Sequence, residues 1–210
     1  MRVLVIGASK GIGLETVRQA LEAGYSVRAL ARSANSIELT DSRLEKIQGD
    51  ALNAQDVAAA LIGVDVVIMT LGVGLADLLR PVHLFSEATR VVIAVMKAQC
   101  LKRLVCLTGF GAGESKASIS CLQRLPFEMV FGRAYADKSV QESLILQSGL
   151  DWTIVRPGVL TSGSRSGRYK VLADASQWRN GIISRADVAE FLVRQVEDVS
   201  YIHKAPVLVR

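Results

Sequence analysis

The 210-residue chain is 50% hydrophobic, enough to bury a sizeable core, and its length suits one domain spanning residues 1–210. Its formal charge of +5 is spread out, with no run of five or six basic residues, and its aromatics, at 5%, do not alternate with Lys or Arg; no nucleic-acid partner is expected. Cys100, Cys106 and Cys121 lack C-x-x-C spacing, which argues against a disulfide framework or a zinc site and predicts buried, reduced thiols in a cytoplasmic protein.

The first apolar run, Val3–Ile6, is too short for a signal peptide or a membrane span and reads as a strand; no membrane association is expected. Gly11–Ala23 reads as a helix closed by Gly24, followed by a second strand, Val27–Ala31, and a third, Leu44–Gln48. Val57–Leu61 falls in a short helix, and Asp65–Met69 makes a fourth strand. These strands are near-continuous in Val, Ile and Leu, as strands covered on both faces require.

Leu84–Gln99 has helical character, and its stripe Val91, Val92, Val95, Met96 fits packing on a sheet, with part of it available to a dimer interface. Leu104–Leu107 is a fifth strand and Lys138–Gln147 a helix. Trp152–Val155 is a sixth strand, stopped by Arg156-Pro157-Gly158 because proline cannot donate to a ladder. Residues 109–133 are the least regular and suit a substrate-facing lid; Trp178 is expected to border the same pocket. Ser184–Asp187 resembles a capping box opening a helix through Val196, and Val207–Val209 adds a last strand. This alternation predicts the α/β class: a single doubly wound Rossmann-type domain with a mostly parallel sheet, as a monomer or a homodimer.

Gly7-Ala8-Ser9-Lys10-Gly11-Ile12-Gly13 lies between the first strand and the first helix, the context in which a glycine pattern carries meaning. Gly7 permits a tight turn, Gly11 clears room for a pyrophosphate, and Gly13 lets the helix approach the sheet. The helix start offers unpaired N–H groups to the phosphates, with Ser9, Lys10 and Ile12 beside them. The expected cofactor is a nicotinamide dinucleotide. After the second strand, Arg32-Ser33 stands where an NAD site has Asp or Glu, and a guanidinium with a hydroxyl favours the 2′-phosphate of NADP(H) over NAD(H). Asp50 and Ala51 would meet the adenine, unless Asp50 merely caps a helix. Thr70-Leu71-Gly72 would bring backbone to the ribose. His83 and His203 are isolated, and no metal is expected.

GASKGIG, the stretch ESLILQSGLDWTIVRPGVL over Glu142–Leu160, and ISRADVAEFLV together resemble the atypical short-chain dehydrogenase/reductase superfamily. Within it the chain is most similar to the biliverdin/flavin reductase and NmrA-like branches. The resemblance implies contacts to the nicotinamide end from Pro157, Gly158 and Val159, and hydride transfer to a small-molecule substrate. It implies catalytic roles for Lys138, which stands at the family's lysine position, and for Thr108, which stands where a Ser or Thr bonds a substrate carbonyl or the nicotinamide amide. Ala134 occupies the expected tyrosine position; Tyr135, one residue on, is rotated by about 100° around the helix and is the candidate participant. An NADPH-dependent reductase of a flavin-, quinone- or aldehyde-like acceptor is the expected function, with a non-catalytic NADP-binding sensor or assembly protein as the alternative.

Overall fold

The structure, a computed structural model, describes residues 1–74, 82–118 and 121–210, with the backbone alone for 121–130. Among these residues ten strands follow one another: β1 (Arg2–Ile6), β2 (Ser26–Ala31), β3 (Leu44–Gln48), β4 (Val66–Met69), β5 (Arg103–Leu107), β6 (Asp151–Pro157), β7 (Val159–Thr161), β8 (Lys170–Leu172), β9 (Ile182–Ser184) and β10 (Val207–Val209). Eight of them form one sheet in the order β3-β2-β1-β4-β5-β6-β10-β8, parallel throughout except for β8. A small parallel pair, β7 and β9, stands apart. The strand order reverses between β1 and β4, so a crevice opens beyond their carboxyl ends, the position at which open α/β sheets bind ligands.

The pleat divides the core. Val3, Val5, Val27, Val105 and Val155 face helices α1 (Gly11–Glu22) and α5 (Arg185–Arg194). Leu4, Ile6, Val67, Met69, Cys106 and Ile154 face the other way, onto α2 (Ala54–Leu61) and α3 (Leu84–Ala98). On α3, Val92 and Met96 are fully buried while Val91 and Val95 pack at the margin of that core, so the stripe does pack on the sheet. The last long helix, α4 (Cys121–Leu146), lies against α3. Its buried Asp137 carboxylate accepts from the Phe85 and Ser86 amides at 2.8 and 3.3 Å, capping a helix whose own cap residue, His83, makes no side-chain cap bond.

Several expectations are corrected. Helix α4 begins at Cys121, well before Lys138, so much of the stretch expected to be irregular is helical, and Gly113–Ser118 forms a 3-10 turn; residues 119–120 and the side chains of 121–130 lie outside the described part. Gly132 and Pro126 break the sequence pattern but not the helix. Strand β6 runs through Arg156 and Pro157, because Pro157 is its last residue and uses only its carbonyl, which accepts from the Phe110 amide at 2.9 Å. Helix α5 ends at Arg194, and β7, β8 and β9 were not expected. Cys106 is buried as expected, but Cys100 is exposed, in a turn with φ of 56°; Cys121 falls among the side chains not described. Trp178 packs on Phe110 and Leu172 at the β8 edge of the main sheet and does not line the main cleft.

Candidate cofactor and active site

Gly7 takes a φ of +87°, and a Cβ there would lie 3.0 Å from the Thr70 carbonyl carbon and oxygen. Gly13 is more restrictive: a Cβ would stand 2.1 Å from the Gly7 oxygen and 2.7 Å from Thr70 Oγ1. The turn between β1 and α1 is thus pressed onto the end of β4, and Thr70 Oγ1 fastens it by donating to the Ile6 carbonyl at 2.9 Å. Helix α1 has no side-chain cap and no acidic residue in its first turn. Its opening amides and the positive end of its dipole therefore meet no negative group of its own first turn, as an anion site at a helix start requires.

The turn opens on a cleft of about 700 Å³. Gly7, Ser9, Lys10, Gly11 and Ile12 line it, with Arg32 and Ser33 after β2, Asp50 and Ala51 after β3, and Leu71 and Gly72 after β4. Arg32 and Lys10 are exposed and have no ion-pair partner among the described residues. Asp50 does not cap α2, since Asn53 does so by accepting from the Gln55 and Asp56 amides; Asp50 Oδ1 accepts from the Leu52 amide at 3.0 Å in a local turn. This arrangement fits a dinucleotide: unpaired amides for a pyrophosphate, a backbone approach that Gly13 keeps open, and two cations beside it.

At the other end lie Thr108, Tyr135, Lys138 and Pro157, with Phe85, Leu160 and Arg185. Lys138 is half-buried; its Nζ donates to the Thr108 carbonyl at 2.8 Å and lies 4.4 Å from the centre of the Phe85 ring. Burial pulls its pKa down to about 8, against the opposing pull of Cys106, Glu142 and Asp137. The Tyr135 side chain reaches Gly109, where a Cβ would come within 2.6 Å of the phenolic oxygen, so the rotation relative to the expected tyrosine still leaves the side chain in the lining of the same cleft as Thr108. Burial raises the Tyr135 pKa and keeps it protonated at neutral pH.

Behind its place in the cleft lining, the Thr108 hydroxyl donates to Glu142 Oε1 at 2.7 Å. Glu142 in turn is ion-paired with Arg156, through contacts of 3.0 and 2.6 Å, where the two side chains are 1% and 2% exposed. Gly158 and Val159 are not brought to the cleft. The Gly158 amide donates to the Leu208 carbonyl, and a Cβ on Gly158 would lie 2.2 Å from the Gly181 oxygen; the Val159 amide donates to that same oxygen at 2.8 Å. Among the described residues no cluster of His, Cys, Asp and Glu is fit to hold a metal, and no helix is long and apolar enough to cross a membrane.

Residues 7–199 match the model of the NAD(P)H-binding family. The chain belongs to that family. It is 26% identical to ChuY, an anaerobillin reductase from Escherichia coli O157:H7, with a TM-score of 0.81 over 100% of this chain and 97% of that one. It is also 26% identical to the photosystem II assembly factor Ycf39 of Synechocystis, across 94% of this chain, and 24% identical to protein TIC 62 of pea, across 95%. It spans 59% of the length of Ycf39 and 41% of that of TIC 62, so those relatives are considerably larger.

Sequence reasoning missed Phe85, Leu160 and Arg185 as cleft residues and the Glu142–Arg156 pair behind it. A signal for the pair was present: Glu142 stands one helical turn after Lys138, on the same face. Its partner on β6 is a tertiary fact with no local sequence mark.

Proposed function

We propose that the chain is an NADPH-dependent reductase of a small planar or carbonyl acceptor, of the atypical short-chain dehydrogenase/reductase type. The observation that carries this reading is the convergence of Lys138, Thr108 and the Tyr135 hydroxyl at one end of the cleft whose other end is the glycine loop. NADPH, when bound, supplies the hydride. The opening amides of α1 hold its pyrophosphate, with Lys10 and Ser9 alongside; Arg32 and Ser33 take the 2′-phosphate; Asp50 and Ala51 meet the adenine. Leu71, Gly72 and Pro157 line the path of the ribose and ring. Lys138 spends one N–H on Thr108 and keeps two for ribose hydroxyls. Tyr135, held protonated by burial, is the proton donor to a carbonyl acceptor. A flavin-like acceptor draws its proton from water instead, and the protein then acts chiefly by aligning the two rings. The free thiols of Cys100 and Cys106 fit a reducing compartment such as the cytoplasm.

A second reading, an NADP-binding sensor or assembly protein without turnover, is favoured by Ala134 at the family's tyrosine position and by the likeness to Ycf39 and TIC 62. The two separate when purified protein is mixed with NADPH and a panel of flavins, quinones and aldehydes while the absorbance of the reduced nicotinamide is followed. The reductase consumes NADPH with at least one acceptor class, and loses rate in Lys138→Met. Tight binding without consumption across the panel selects the sensor.

A further inference from the structure

Thr108 ends the approach to the cleft from β5 and is 5% exposed. Its carbonyl accepts from Lys138 and its hydroxyl bonds Glu142, and the direction of the second bond is fixed by charge. Both oxygens of Glu142 are held by Arg156, Oε1 by Nε at 3.0 Å and Oε2 by Nη2 at 2.6 Å. A guanidinium keeps its proton in a protein, and one buried to 2% exposure requires a counter-charge. Glu142 is therefore a carboxylate with no proton to give. The single hydroxyl proton of Thr108 is spent on it, and what Oγ1 retains for any other partner is a lone pair.

The pair is closed on its remaining sides. Gly113, at φ of +52°, passes so near that a Cβ would lie 2.0 Å from Glu142 Oε2 and 3.1 Å from Arg156 Nη2. The Trp178 ring covers the guanidinium at 4.7 Å. The Gly113 amide is itself tied to Ser139 Oγ at 3.0 Å, which anchors this loop to α4. With loop and ring packed around it, the carboxylate is held in one place.

We propose that Glu142, anchored by Arg156, is a positioning residue that makes Thr108 an acceptor-only group, and that Thr108 thereby selects the carboxamide N–H of the nicotinamide, an inference that rests on the dinucleotide reading above. A carboxamide offers a carbonyl on one side and an amino group on the other, and a threonine with a free proton can bond either. An acceptor-only threonine bonds the amino side alone, which fixes how the carboxamide is turned and reserves the polarisation of any acceptor carbonyl for Tyr135 and Lys138.

The test is calorimetric. Dissociation constants are measured for NADP and for its analogue in which an acetyl group replaces the carboxamide, keeping the carbonyl and removing the N–H. The wild type is expected to prefer NADP by about tenfold, the worth of one good hydrogen bond. Thr108→Ser keeps that preference and Thr108→Val brings the ratio to about one. In the double variant Glu142→Met/Arg156→Met the buried charges leave together, Thr108 regains a proton for the acetyl carbonyl, and the ratio also falls to about one. A merely structural pair would weaken both ligands alike and leave the tenfold ratio, which overturns the proposal. An unchanged ratio in Thr108→Val overturns it too, and because that variant keeps the ion pair, it decides the matter even where the double variant fails to fold. Equal affinities in the wild type sink this inference alone; no heat from either dinucleotide sinks the cofactor reading with it.

Discussion

Replacing Glu142 by Ala strips Arg156 of its carboxylate partner. The guanidinium would stay 2% exposed, with the Ala205 carbonyl at 3.5 Å and the Trp178 ring at 4.7 Å as its remaining company among the described residues. Leaving one half of a buried pair alone costs about 3 to 5 kcal/mol, against a total stability of about 5 to 15 kcal/mol for a typical domain. With a urea dependence of about 2 kcal/mol per molar, the unfolding midpoint should fall by about 2 M. Tryptophan fluorescence reports the transition, since Trp178 sits on Arg156 and Trp152 is in the core. The Glu142→Met/Arg156→Met double variant should recover most of the loss, because apolar residues of similar volume replace a buried pair at little net cost. A loss below about 1 kcal/mol in Glu142→Ala, or a double variant less stable than either single one, would refute the view that this pair is desolvated and mutually dependent.

Arg32→Ala should weaken NADPH binding by about tenfold to a hundredfold and leave NADH nearly unchanged, since a charge-assisted bond to the 2′-phosphate is worth about 1.5 to 3 kcal/mol; equal weakening in titrations of both would show that the residue does not read that phosphate. Gly13→Ala should abolish dinucleotide binding and lower the melting temperature, because its Cβ falls 2.1 Å from a backbone oxygen that cannot yield. Lys138 has a folded pKa near 8, below its ordinary value of 10.5. The unfolded chain therefore binds more protons between these values, so the Lys138 contribution to stability rises with pH across that window; melts of wild type against Lys138→Met should show a stability difference that shifts in favour of the wild type as pH rises through it. Ser184→Ala removes the cap of α5, where Ser184 Oγ accepts from the Asp187 amide at 3.0 Å, and should cost about 1 kcal/mol in chemical unfolding.

The parallel part of the fold was legible because it is written locally. Val3–Ile6 and Leu104–Leu107 are apolar on both faces, Val27–Ala31 is apolar apart from Arg28, and Ser184 with Asp187 marks a helix start by composition. The glycine loop was legible because Gly13 answers a steric demand that no other residue meets. Less was visible after β6. Strands β7, β8 and β9 span three residues each, too few for alternation to register, and their pairings join segments about twenty to forty residues apart. The amino-terminal half of α4 was hidden by Pro126 and Gly132, whose local preferences the tertiary fold overrides.

Within the site, residue identity indicated Thr108, Lys138 and Tyr135 but not their hydrogen-bond directions. Those depend on Glu142 and Arg156, which meet only once β6 is laid beside β5 and α4 is folded over them. Likewise Gly158 looked like a ligand contact beside Pro157, yet its missing side chain makes room for Gly181.

The central claim is that the mouth of α1 holds the pyrophosphate of a nicotinamide dinucleotide, and calorimetric titration of the folded chain tests it most directly. Saturable heat with NADPH, weaker with NADH, is the result expected. A folded protein that gives no heat with either dinucleotide, oxidised or reduced, would contradict it.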